Sequence, residues 1–208
     1  MTDWLALAAD REERFATRES PVAQAAAAGA VGLAYLMAGD DESAREWLRR
    51  SAQRHRESWA DAPPGSWGRP IGALKALVLA GDWASAEELA RWPLEAGAAT
   101  SDSPIGRYAA TLALLVLGRD QEARHVAATL RDREDFPPPV GDALATIAAG
   151  DRAGYLVAVE DVLESFESRD RFLEDMPVAD TVLVLQALAE RRDVAVELRE
   201  SKLLPGRG

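Results

Sequence analysis

Residues 103–131 read SPIGRYAATLALLVLGRDQEARHVAATLR, and this stretch decides the fold class. Ser103-Pro104 is a helix opening, because proline's missing N–H has no intrahelical partner in the first turn. The apolar residues Ile105, Tyr108, Leu112, Leu115 and Val116 then recur at steps of three and four, the helical period. The run stops at Gly118, a residue that closes helices by turning left-handed. Asp120 follows, with a carboxylate for the free N–H groups of the next helix. There Ala123, Val126, Ala127 and Leu130 share one face, with Glu122 and Arg131 opposite. The stretch predicts an apolar inner helix, a tight turn and an amphipathic outer helix: one αα-hairpin.

The same order recurs on both sides. Helix openings stand at Ser20-Pro21, Arg69-Pro70, Pro137-Pro138-Pro139 and Met176-Pro177, and turn marks at Gly39-Asp40, Gly81-Asp82 and Gly150-Asp151. Successive marks lie 42, 37 and 32 residues apart, the range of helical-hairpin repeats without their regularity. Val22, Ala26, Leu33 and Met37 fall on one side of the second helix. In its partner Trp47, Leu48 and Ser51 lie against Arg45, Arg49 and Arg56. Trp4, Leu7, Ala8, Arg11 and Phe15 predict an initial helix over 2–19. Gly29, Gly32 and Gly72 mark places where helices approach closely. The expectation is an all-α fold: about ten helices in stacked antiparallel αα-hairpins, tetratricopeptide-like but irregular, forming a curved or closed stack. It forms one domain over 1–205, with 206–208 as a tail. Loops fall at 60–67, 97–103 and 134–139, and Val194 to Leu198 is a short extended C-terminal segment, the best candidate for a strand.

Composition bounds the chemistry. The 208 residues are enough to bury a sizeable core, and at 48% apolar and 28% charged the chain is of the globular class. Alanine supplies 41 residues, and arginine outnumbers lysine 22 to 2. A net charge of -11 repels phosphate backbones and anionic membranes, so neither nucleic acid nor membrane is expected as a partner. The acidic N-terminus lacks targeting character, no apolar run reads as a span, and the expectation is cytoplasmic. Without cysteine there are no disulfides, thiolate nucleophiles or Cys-ligated zinc. Only His55 and His125 are imidazoles. Glu122 and His125 have the Glu-x-x-His spacing of di-metal bundles, but no second copy exists to complete such a site. Asp40, Asp41 and Glu42 coincide with a helix start, where acids stabilise the dipole. Phosphate-cradling glycine motifs and the Gly-x-Ser-x-Gly elbow are missing. The expectation is no enzyme, no metal and no cofactor.

Two features point to protein binding. Trp59 and Trp67 flank the Pro63-Pro64-Gly65 loop, where they either anchor a partner or pack beneath it. From Asp151 to Asp180 nine acids face three arginines, a net of -6. There Tyr155, Val159, Val162 and Phe166 make a buried stripe that leaves Glu160, Glu164 and Glu167 on another face. With Glu174 and Asp175 they form either a solvated surface or a contact for a cationic partner. Between Arg45 and Arg56 the balance reverses, five arginines to one glutamate, in a patch that either meets an acidic surface or pairs internally.

Met176-Pro177 leads into the apolar run from Val178 to Ala189, then Glu190-Arg191-Arg192-Asp193, Val194 and finally Leu203-Leu204-Pro205. This end of the chain resembles bacterial immunity family 49 of polymorphic toxin systems. Length, hairpins and the Ala/Arg-rich acidic composition are similar too. The resemblance implies a cytosolic, non-catalytic protein that binds and neutralises a cognate toxin, with no catalytic residues to transfer. A basic toxin would gain on-rate and specificity from an acidic inhibitor. The rival expectation is a helical-repeat scaffold or regulator that takes a peptide into its groove, with Trp59 and Trp67 as anchors.

Overall fold

Gly39, Gly81, Gly118 and Gly150 all carry φ between 66° and 79°, the left-handed turn that ends a helix. Asp40, Asp82 and Asp151 then accept the N–H of Ser43, Ser85 and Gly154 at 3.1, 3.3 and 3.0 Å. The computed structural model describes residues 2–131 and 133–206. Among the described residues there are ten α-helices: α1 Trp4–Thr17, α2 Pro21–Ala38, α3 Asp41–Glu57, α4 Gly68–Leu79, α5 Trp83–Glu95, α6 Pro104–Val116, α7 Asp120–Arg131, α8 Pro138–Ala149, α9 Arg152–Glu167 and α10 Asp180–Glu190. Short 3-10 turns at Ala98–Thr100 and Leu173–Asp175 complete an all-α fold, with no strand among the described residues. Val194 to Leu198 is non-helical but joins no ladder. It is pinned by side chains instead: Arg152 donates to the Ala195 carbonyl at 3.1 Å and Gln186 to that of Val196 at 2.6 Å.

Consecutive helices pack as antiparallel hairpins, and the even-numbered ones form an inner layer. This layer closes: α4 packs on α6, α6 on α8, α8 on α10, and α10 back on α4. Leu74 and Leu77 of α4, Leu112 and Leu115 of α6, Leu144 and Ile147 of α8, and Leu185 and Leu188 of α10 share one buried core. The groove in which an open hairpin stack would take up a peptide is therefore filled by the chain's own last helix. Two arginines lock the closure. Arg192 donates to the Leu115 carbonyl at 2.6 Å and meets the Asp120 carboxylate, while Arg191 reaches Glu87 at 3.0 Å and lies over the Trp83 ring. The extra residue in Gly118-Arg119-Asp120 places Asp120 inside the first turn of α7, where it serves Arg192.

Helices α1 to α3 lean on this ring through α2 and α3 against α4. Here α3 and α4 come so close that a Cβ on Gly72 would stand 2.3 Å from the His55 Nε2. Residues 168–179 leave α9, cross to α1 and α2, and return to start α10. Met176 and Val178 join Ala8, Ala30, Ala34 and Met37 in a second, smaller core. Because of this detour Pro177 opens no helix; α10 begins at Asp180, and the Ala179 N–H goes to the Leu203 carbonyl at 2.9 Å. The crossing turns on Glu174 and Asp175, non-glycine residues with φ of 52° and 51°. Arg11, 4% exposed, braces that left-handed pair by donating to the Glu174 carbonyl at 3.0 Å.

Three sequence expectations change. Val22 and Ile105 are exposed, each lying one residue past its helix-opening proline at the edge of the layer. Residues 21–38 form one helix of 18 residues with mean hydropathy 1.4, long and apolar enough to cross a membrane by length and composition, contrary to the expectation of no such run. In the fold that helix is packed between α1 and α3.

Candidate functional site

Helix α9 buries Tyr155, Ala158, Val159, Val162, Leu163 and Phe166. Its other side carries Leu156, Val157, Glu160, Asp161, Glu164 and Glu167, a stripe of two apolar residues followed by four acids. The C-terminal segment neutralises part of it. Arg199 meets Glu160 at 2.9 Å and grips Glu167 with both terminal nitrogens at 3.0 and 2.6 Å, and Ser201 donates to Glu167 at 2.7 Å. The guanidinium, helped by that hydroxyl, holds the Glu167 carboxyl below its ordinary range. Asp161 and Glu164 are exposed and have no ion-pair partner among the described residues. Beside them Leu156 is 41% and Val157 63% exposed.

Glu174 and Asp175, expected to extend this acidic surface, belong to a different neighbourhood. Glu174 pairs with Arg18 at 3.2 Å and Asp175 with Arg14 at 3.6 Å, so both face arginines at the C-terminal end of α1. The five acids thus divide into an α9 group and an α1-facing group. The detour of residues 168–179, which has no local sequence signal, causes the division.

Trp59 and Trp67 pack rather than project. Trp67 is 8% exposed, the two ring centroids are 6.0 Å apart, and Trp59 meets Trp92 edge-on at 5.1 Å. Trp67 and Trp92 belong to the main core, and Trp59 packs against it. The arginines of α3 are similarly engaged: Arg49 binds Asp82 at 2.8 Å, Arg50 binds Glu46 at 3.1 Å, and Arg56 lies over Trp92 at 4.4 Å. Glu122 pairs with Arg119 at 2.7 Å. No group of three or more His, Asp or Glu side chains is placed to hold a metal ion among the described residues.

A polar cluster that the sequence reading passed over lies at the seam between the α1–α3 unit and the ring. Lys75, in the middle of apolar α4, pairs with Asp180 at the start of α10 and donates to Thr181 Oγ1 at 3.0 Å. Burial is the largest single influence and opposes the Lys75 charge, but the Asp180 carboxylate and Tyr108 together outweigh it, and the ammonium titrates above the ordinary lysine value. Tyr108 is buried close by, and burial pushes its phenol up. His55 lies on the same seam. Burial, with the Arg69 charge adding to it, lowers its pKa to about 4, and Nδ1 has no hydrogen-bond partner. One available signal was a lone lysine among the apolar residues that follow Pro70 in α4, in a chain with only two lysines.

Lys75, Asp180 and His55 line a pocket of about 280 Å³ bounded by α2, α3, α4 and the crossing segment. No family model, curated protein or solved structure matches the chain.

Proposed function

We propose that the chain is a non-catalytic, cytosolic immunity protein that neutralises a cognate bacterial toxin by binding it directly along the exposed edge of α9. The observation that carries the reading is the pairing of Leu156 and Val157 with unneutralised Asp161 and Glu164 on one helical stripe. Apolar residues at the centre and charges at the rim are the anatomy of a protein interface. The apolar pair would supply the buried contact, and the acids would steer a basic partner and fix its register. Glu160 and Glu167 contribute to the field but are tied to Arg199, and Glu174 and Asp175 stand apart from the surface. Closure of the ring disfavours the scaffold alternative, whose peptide groove α10 occupies.

The test is co-expression with whichever product of a flanking gene is basic and arrests growth when expressed alone. Growth arrest by that protein is expected to be relieved by the wild-type chain. With Asp161→Lys and Glu164→Lys together, relief should be lost while the folded signal is kept. Binding of the wild-type chain should weaken with salt, and Val157→Asp should weaken it at all salt concentrations. Equal protection by the charge-reversed variant, or no protection by the wild type, would overturn the proposal.

A further inference from the structure

The seam pocket has a charge opposite to that of the molecule. Its lining holds Lys75, Arg169 and Arg171 against one carboxylate, Asp180, in a chain of net charge -11. Asp180 is committed to Lys75. Arg169 has only the Ser165 hydroxyl at 3.4 Å and the Phe166 ring at 3.7 Å, and Arg171 has no acidic partner among the described residues. The Arg169 charge also reaches Lys75 and works against its ammonium, so like charges converge here. His55 adds nothing to this excess near neutral pH, since burial keeps its imidazole uncharged.

The rest of the lining, apart from Ser51, whose hydroxyl is bonded to the Ala25 carbonyl, is hydrocarbon. Leu33 of α2, Ile71 and Leu79 of α4, and Phe172 and Met176 of the crossing segment form the walls, while Ala25, Ala26 and Gly29 are too small to fill the space between them. The volume of about 280 Å³ stands near the lower bound of small-molecule sites, which run from roughly 300 to 1,000 Å³. The rim includes Leu173, 78% exposed, next to the left-handed Glu174-Asp175 turn. Left-handed backbone at non-glycine residues persists only where its surroundings hold it, and such strain collects at binding sites. Here Arg11 does the holding.

A cation would meet like charge in this pocket, and a neutral apolar molecule would make no use of Arg169 and Arg171. A small inorganic anion would leave the hydrocarbon walls uncovered. We propose that the seam pocket binds a small monocarboxylate with an aromatic or branched hydrocarbon body, the carboxylate pairing with Arg169 and Arg171 and the body lying against Leu33, Ile71 and Phe172. The arginine fork suits a carboxylate, which it binds through two parallel N–H bonds. This site is separate from the α9 edge and stands whether or not that edge binds a toxin.

Calorimetric titration of the full chain with phenylacetate and with phenylacetamide, its uncharged isostere, tests the assignment. Phenylacetate should bind with a dissociation constant below about 10 mM and at least about tenfold more tightly than the amide. Replacing both exposed arginines, Arg169→Gln and Arg171→Gln, should erase that preference without changing the helical signal. Leu33→Trp, which fills the pocket from α2, should weaken both probes together. The proposal is overturned by undetectable phenylacetate binding, by equal affinity for the two probes, by a preference that survives in the double variant, or by displacement of phenylacetate with an equal concentration of inorganic phosphate.

Discussion

Replacing Lys75 by methionine preserves the length of the side chain and removes its charge, leaving Asp180 at the seam without its cation. The two side chains are 16% and 28% exposed, so they are screened far less than a surface pair. Breaking a buried pair from one side costs about 3–5 kcal/mol, because the surviving charge is desolvated and uncompensated. For a chain of this size each kcal/mol moves the melting temperature by about 2–4 °C, so Lys75→Met should lower it by roughly 6–20 °C. Asp180→Asn should cost at least as much, since it exposes Lys75 to the repulsion of Arg169. The double variant, Lys75→Met with Asp180→Leu, removes both charges and should recover most of the loss. The alkaline limb gives a second measurement. A lysine whose native pKa lies above its unfolded value stabilises the fold fully below about pH 10, and that contribution fades as pH rises through the native value. Urea unfolding from pH 7 upward should show this decline in the wild type but not in Lys75→Met. Single-variant losses under about 1 kcal/mol that simply add in the double variant would refute the reasoning, because they would describe a solvated pair.

His55 should make the fold acid-sensitive. Its native pKa of about 4 lies below the unfolded value of about 6.5, so the unfolded chain binds more protons between them. Stability should fall by up to about 3 kcal/mol from pH 7 to pH 4, and His55→Leu should flatten that part of the urea midpoint profile. Gly72→Ala puts a methyl against the His55 ring and should cost about 1–3 kcal/mol by thermal melting; repeating it in a His55→Ala background should relieve much of the loss. Arg192→Ala removes the donor that serves the Leu115 and Leu188 carbonyls and Asp120, and hydrogen exchange should quicken at the C-terminal end of α10 before the rest of the ring.

The hairpins were legible because their signals are local. A glycine that turns left-handed and an aspartate that caps the following helix act within a few residues, as at Gly39-Asp40 and Gly150-Asp151. Ring closure left no such mark: the contacts between α4 and α10 join residues 106 apart, and nothing near Lys75 announces Asp180. Position 120 shows the boundary between the two kinds of information. Its aspartate reads as a cap, yet the inserted Arg119 carries it past the turn, and its partner is Arg192 at the other end of the chain. The turn at Glu174 and Asp175 was invisible for another reason, since residues with no preference for positive φ are held there by a buried arginine of α1. The acid count on α9 was readable, but which acids remain free depended on where Arg199 comes to rest.

Ring closure also sets the order of events during synthesis. An open solenoid can consolidate each hairpin against the one before it as the nascent chain emerges. Here 100 residues, 80–179, follow α4 before the start of α10 supplies the other half of its interface. At about 5–20 residues per second, a ribosome takes roughly 5–20 s to cross that interval. Through it Leu74, Leu77 and the Lys75 ammonium await their cover. The released chain gains its final cooperativity in one late docking step, and a ribosome that stalls before residue 180 presents the inner layer of a barrel with one stave missing.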